Sequence, residues 1–163
     1  MEFELNQKPM RRMSKEISKK TEIEEIIGKS LVCRIAVSKD NIPYIVPVSF
    51  GYDGLNLFIH TAPEGRKIDF WTANSLVCFE FDVDVKTIGN EEKACKWNTT
   101  FRSVIGYGRI SEINAGDEKI VALNHIMKHY SGRIWEMEEK DLKGVKVWKL
   151  SIIELTGKKS IMD

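Results

Sequence analysis

The chain has 163 residues, 42% of them hydrophobic and 30% charged, with 25 basic against 24 acidic side chains and a net charge of +1. That size and composition describe one globular domain with enough apolar material for a single core. The balanced charge argues against a protein built to grip nucleic acid or an anionic membrane, since both need a basic excess. No run approaches the ~18 apolar residues of a membrane span and no signal-peptide stretch is visible, so a cytoplasmic protein is expected.

In chain order, residues 1–20 are polar and basic and read as an N-terminal arm, which leaves 21–163 as one domain. Thr21-x-x-Glu24 has the spacing of a capping box, with Ile23, Ile26 and Ile27 at helical spacing and Gly28 placed to end the helix. Leu31–Val37 and Ile42–Phe50 read as a hairpin around the turn Ser38-Lys39-Asp40-Asn41. Pro47 in the second run predicts a bulge or an edge position. After the turn dipeptide Asp53-Gly54, Leu55–His60 is a third strand. Ala62-Pro63-Glu64-Gly65 opens a helix that runs to about Asn74. Leu76–Val85 is a strand, residues 86–98 a polar loop, and Thr99–Ile113 a long strand. A helix follows from Gly116-Asp117 through Met127, then a short one near Glu138–Leu142, then a last strand, Val145–Leu155. About six strands with few helices predict a small barrel or sandwich that is mainly β with α additions. The three cysteines, Cys33, Cys78 and Cys95, form no C-x-x-C pair; Cys33 and Cys78 lie in apolar runs and read as buried free thiols.

The most informative stretch is Phe58-Ile59-His60-Thr61-Ala62-Pro63-Glu64-Gly65-Arg66-Lys67, where a strand passes through a small-residue turn into a helix. Free N–H groups at a helix start attract anions. Arg66 and Lys67 in that first turn oppose the helix dipole, and a bound phosphate would compensate them; two solvated cations are the alternative. A second constellation is Cys95-Lys96-Trp97 followed by Phe101-Arg102-Ser103-Val104-Ile105-Gly106-Tyr107-Gly108. Arg102 could pair with a phosphate or a carboxylate, or the stretch is an ordinary alternating strand. Gly106 and Gly108 share a strand face and leave room for a ring or a backbone; they lack the third glycine of a dinucleotide fingerprint. His125 and His129 share a helix face but lack the carboxylate of a zinc-protease motif, so no metal site is expected.

Taken together, Pro43-Tyr44-Ile45-Val46-Pro47-Val48-Ser49-Phe50, His60 through Lys67, Val77-Cys78-Phe79-Glu80, Cys95-x-Trp97, Arg102 through Gly108, and Leu155-Thr156-Gly157-Lys158 resemble, in order and spacing, the Nim-like (5-nitroimidazole resistance) branch of the pyridoxamine-5'-phosphate-oxidase-related flavoproteins. The resemblance covers about residues 10–160. It implies a homodimeric split β-barrel with two FMN sites at the subunit interface. By that resemblance Val46, Pro47, Val48 and Ser49 line the flavin ring through backbone groups, which a bulge at Pro47 would free. His60 and Thr61 flank the flavin, Arg66 and Lys67 hold its phosphate, and Trp97, Arg102 and Ser103 approach a flavin, across the dimer interface. Phe101 stands where the family often has Tyr, so any hydrogen bond from that hydroxyl is lost. The residues that bind pyridoxine phosphate in true oxidases of that name are not recognisable, so that activity is not expected.

The function implied is an FMN-dependent oxidoreductase that reduces a small flat acceptor, a nitroaromatic such as a 5-nitroimidazole being one. His60 is the candidate catalytic residue, because an imidazole suits proton transfer near neutrality. A flavin-binding protein without turnover is the rival reading, since a fold supplies a site and not a reaction. A barrel holding haem or a deazaflavin is the third; its haem form needs an axial ligand from His60, His125 or His129.

Overall fold

A computed structural model describes residues 10–160. Its elements are β1 (Glu16–Ile17), α1 (Lys20–Lys29), β2 (Cys33–Lys39), β3 (Ile42–Val48), β4 (Gly51–Tyr52), β5 (Asn56–Thr61), α2 (Arg66–Ala73), β6 (Leu76–Ile88), β7 (Asn98–Ile113), α3 (Gly116–Ser131) and β8 (Lys146–Ser160). All strand pairs are antiparallel, in the order β3-β2-β6-β7-β8-β5-β4, with β1 added along β8.

That order forces the sheet to curl. Laid flat, seven strands at ~4.8 Å spacing would hold β3 and β4 roughly 29 Å apart. Yet only Ser49 and Phe50 separate Val48 of β3 from Gly51 of β4, a link that reaches about 11 Å at most. The two edges must therefore come round to each other. They do not pair, so the barrel stays split there. This is the split β-barrel that the family resemblance implies.

Alternation along the strands sends one set of side chains inward. Cys33, Ile35 and Val37 of β2, Val77, Phe79 and Phe81 of β6, Leu57 and Ile59 of β5 and Leu150 of β8 fill the barrel, joined by Ile23, Ile26 and Ile27 of α1 and Trp71 of α2. Phe58, between two inward residues of β5, faces the other way and meets Ala122 and Ile126 of α3 with Ile113 and Val147. The sheet thus buries apolar surface on both faces of β5.

Several local expectations are corrected. Within the segment 1–20, residues 1–9 lie outside the described chain, but Glu16 and Ile17 pair with Lys158 and Gly157, and Ile17 is buried in the core. Thr21 does not cap α1: the helix begins at Lys20, its N-cap is Lys19, and no side chain caps it. Gly28 lies inside the helix, because burial of Ile26 and Ile27 fixes the last turn; the Ser30 amide and hydroxyl then close it on the Ile26 carbonyl. The register of β2 with β3 runs unbroken through Pro47, so no bulge forms there. Its other predicted role holds, since β3 is an edge strand, which tolerates a missing donor. The irregularity sits instead in β6 between Val83 and Lys86, around the left-handed Asp84 (φ 56°). Ala62–Gly65 is a loop, and α2 starts only at Arg66. β6 extends to Ile88 and β8 to Ser160, so the loop and the last strand differ from the ranges read from sequence. The hairpin turn is Asp40-Asn41, both at positive φ (53° and 62°), as a type I′ two-residue hairpin requires.

Gly106 does admit a ring, and the ring belongs to the protein: a Cβ there would strike Phe79 and the Glu154 carbonyl. Gly108 likewise lies under Leu150 and the Ser151 carbonyl. Gly106→Val should therefore destabilise the fold by about 1–3 kcal/mol through forced repacking of the core. Gly28→Ala, which meets nothing within 4 Å, should be stabilising by about 0.5–1 kcal/mol from helix propensity alone. Urea denaturation of the two variants checks both signs.

Candidate functional site

Helix α2 is anchored to the β2–β3 hairpin by its C-terminal half. At its C-terminal end Asn74 Nδ2 donates to the Ser38 carbonyl at the β2–β3 hairpin, 2.8 Å away. One turn earlier Phe70 packs on Tyr44 of β3, ring centroids 4.9 Å apart. The C-terminal half of α2 thus lies against the β2–β3 hairpin, with Arg66 and Lys67 at its other end. Val46 is half-buried, Pro47 exposed, Val48 buried and Ser49 exposed just past the strand end.

The start of α2 is open to a ligand. Gly65 holds φ 141° and ψ 161°, a conformation close to glycine-only, and contributes no side-chain cap. The amides of Ile68 and Asp69 both donate to the Gly65 carbonyl; those of Arg66 and Lys67 are among the groups that a helix start leaves without intrahelical acceptors. Arg66 is exposed and Lys67 half-buried, and among the described residues neither forms a salt bridge. Two cations and two free amides at the positive end of a helix suit a phosphate dianion. The residues present therefore fit the phosphate of a flavin mononucleotide.

His60 and Thr61 end β5, opposite Val147 and Lys146 of β8, and lead into the 62–65 loop. His60 is exposed. Thr61 is buried and its hydroxyl is already engaged: it donates to the Ala62 carbonyl (2.8 Å) and accepts from Trp148 Nε1 (3.1 Å). Its side chain ties the strand end to β8. His125 stacks on Phe58 at 5.0 Å, and His129 Nε2 lies 2.8 Å from the Ser30 carbonyl. Both serve packing, which leaves His60 as the exposed imidazole of the three in the chain.

Trp97, Arg102 and Ser103 are not brought to this turn within one chain. On β8 the partner of Arg102 is Lys159, whereas that of His60 is Val147. The separation is roughly 40 Å of strand at ~3.3 Å per residue. Arg102 is also committed. Its Nε donates to Asp84 Oδ2 at 2.8 Å, and its terminal nitrogens lie 3.3 Å from Glu25 Oε1. Those bonds, Asp84 first, raise the guanidinium's already high pKa. Hydrogen bonds from Lys29 and then Arg102 hold the Glu25 carboxyl below the usual carboxylate range. Reading the sequence missed Asp84 and Asn74. Asp tolerates a left-handed backbone, but nothing in the local pattern showed that the bulge would fall there.

This curled sheet, split between β3 and β4, defines the class as a split β-barrel. The family model described as pyridoxamine 5'-phosphate oxidase matches residues 19–159, and the chain belongs to that family. A candidate 5-nitroimidazole antibiotic resistance protein from Bacteroides thetaiotaomicron is similar in structure, with a TM-score of 0.78 and 32% identity over 88% of this chain and 86% of that one. A flavocytochrome from Azotobacter vinelandii superposes with a TM-score of 0.77 at 18% identity, covering 94% of this chain and 72% of its own. An FAD- and haem-binding protein from Mycobacterium smegmatis gives 0.79 at 16%, covering 91% and 74%. At those lower identities the likeness is one of fold. An uncharacterised protein of Rhizobium meliloti is 27% identical over 99 residues, 61% of this chain and 58% of that protein's length.

The Glu25 bonds give a pH signature. A depressed carboxyl contributes stability above its unfolded pKa, and that contribution is lost as pH falls through its folded pKa. Glu25→Gln should lower Tm at pH 7, and the gap to the parent should close as the solution is acidified below the carboxylate range. Thermal melts across that range check it, and a gap that persists in acid contradicts the assignment.

Proposed function

We propose that this chain is an FMN-dependent oxidoreductase that acts as a homodimer in the cytoplasm and reduces a small flat acceptor, nitroaromatics such as 5-nitroimidazoles being the class. The observation that carries the reading is the start of α2, which has no side-chain cap and carries Arg66 and Lys67, neither in a salt bridge among the described residues. Support for the acceptor class comes from the 32% identical Bacteroides protein.

In this reading Arg66, Lys67 and the α2 amides hold the phosphate. The open edge of β3, Val46 through Ser49, offers backbone groups to the ring, and no bulge is needed because an edge strand already has an unpaired side. When bound, the flavin supplies the electron transfer; the protein positions it and sets its surroundings. Thr61 acts by fixing the strand end through Trp148, and His60, exposed one residue earlier, is the group to face the acceptor and hold a proton on its imidazole. Trp97 and Ser103 reach the flavin from a second copy of the chain, which explains why one chain keeps them far from the α2 turn. Arg102 reaches it only while shared with Asp84 and Glu25, which its five donors permit.

Arg66→Ala with Lys67→Ala should weaken FMN binding by about 2–4 kcal/mol, from the loss of charge-assisted phosphate bonds, as read by quenching of flavin fluorescence. Unchanged affinity removes the phosphate assignment. Oxidation of a reduced nicotinamide nucleotide, dependent on an added 5-nitroimidazole, separates the oxidoreductase from a flavin-binding protein without turnover. A Soret band in place of flavin absorbance would move the assignment to haem.

A further inference from the structure

The loop 62–65 joins β5 to the cationic start of α2, and both of its flanks rest on one side chain, Trp148 of β8. On the β5 side Trp148 Nε1 donates to the Thr61 hydroxyl at 3.1 Å, and that hydroxyl donates to the Ala62 carbonyl at 2.8 Å. On the helix side Trp71 of α2 meets Trp148 edge to face, with ring centroids 5.4 Å apart and planes at 71°. All three side chains are buried. Trp71 lies one turn of helix beyond Lys67.

Each contact constrains the turn. A threonine hydroxyl has one proton to give. The Ala62 carbonyl takes it, so none is left for an anion, and the first carbonyl of the loop is held by the strand end. Trp71 Nε1 is buried with no hydrogen-bond partner among the described residues. Packing places that indole, and Trp148 supplies a contact of the geometry that aromatic pairs prefer. Between the two flanks Gly65 takes φ 141° and ψ 161°, a conformation that persists where the surrounding structure fixes it.

We propose that Trp148 is a positioning residue for the flavin phosphate. By holding Thr61 and Trp71 at once, it sets the spacing between the end of β5 and the start of α2, and with it the place that Arg66, Lys67 and the first α2 amides occupy. Thr61 belongs to the same relay and gives no hydrogen bond to the phosphate itself. This role rests on the reading above, in which that helix start takes the phosphate of FMN. A loosened turn should then weaken recognition of the phosphate and spare recognition of the ring, because a small misplacement is enough to lose a charge-assisted bond.

The test titrates the full-length protein with FMN and with riboflavin, which has the same ring and no phosphate, by quenching of flavin fluorescence. Trp148→Phe removes the indole donor, and Thr61→Val removes the hydroxyl. Each should weaken FMN about fivefold or more, the order of one lost hydrogen bond, and leave riboflavin within about twofold. The two together should be no worse than either alone, since they break one relay. Thr61→Ser, which keeps the hydroxyl, should bind FMN like the parent. Equal losses for FMN and riboflavin mean general damage to the barrel and overturn the proposal. So does a loss of FMN in Thr61→Val that Trp148→Phe does not share, which puts the hydroxyl on the phosphate. Parent-like FMN binding in both variants overturns it as well. Arg66→Ala with Lys67→Ala in the same assay separates this role from the flavin reading. If that pair leaves FMN affinity intact, the phosphate assignment itself fails; if it weakens FMN while Trp148→Phe does not, only the role of Trp148 falls.

Discussion

Ser49 and Phe50 join the two edge strands of the sheet, and the remaining architecture answers to that short link. Because β3 and β4 cannot be far apart, the sheet closes around Phe79, Phe81 and Leu57 instead of lying open. The corner is then locked from outside by the last turn of α3. The Phe50 amide donates to the Tyr130 hydroxyl at 3.1 Å, and that hydroxyl donates to the Leu31 carbonyl at 2.9 Å. The His129 ring lies 4.4 Å from Phe50 and its Nε2 meets the Ser30 carbonyl. One helix end thus ties the corner of the split barrel to the connection between α1 and β2. The end of β3 sits on a rigid frame, which suits a site that must hold its geometry.

Charge on the molecule is distributed to match. On the outer sheet face Arg34 pairs with Glu80 and Asp82, and partial burial, followed by the nearby Asp82, still raises the Glu80 carboxyl above its ordinary range. Arg102 is shared by Asp84 and Glu25. The cations without carboxylate partners among the described residues include Arg66 and Lys67 at the start of α2. Cations left uncompensated next to free amides mark a place where an anion would lower the energy of the structure.

Much of this was legible before any coordinates. Strict alternation in Val77-Cys78-Phe79-Glu80-Phe81 placed a strand with one buried face, and the longer strands and helices from α1 onward came in the order read, whereas the short β1 and β4 were not foreseen. The pairing of Arg66 and Lys67 with a helix start was visible because it breaks the usual dipole preference. The helix caps were not. Thr21-x-x-Glu24 has the right letters, but burial of Ile23, Ile26 and Ile27 sets where α1 begins and ends, and the cap residue follows from that. The bulge was misplaced for a similar reason. Proline marks a missing donor, and on an edge strand that needs no bulge; the bulge fell at Asp84, where β6 and β7 leave the barrel.

Local chemistry in the chain sufficed for the strands, the turn at Asp40-Asn41, the anion-seeking helix start and the family resemblance, because periodicity, turn preference and dipole compensation act within a few residues. Which of the candidate residues meet was settled by folding. Asn74 on Ser38 and Phe70 on Tyr44 bring α2 to β3, while Trp97 and Arg102 end up at the opposite end of the same sheet. Such contacts join positions scores of residues apart, and their energy comes from burial and strand pairing that no short window of sequence contains.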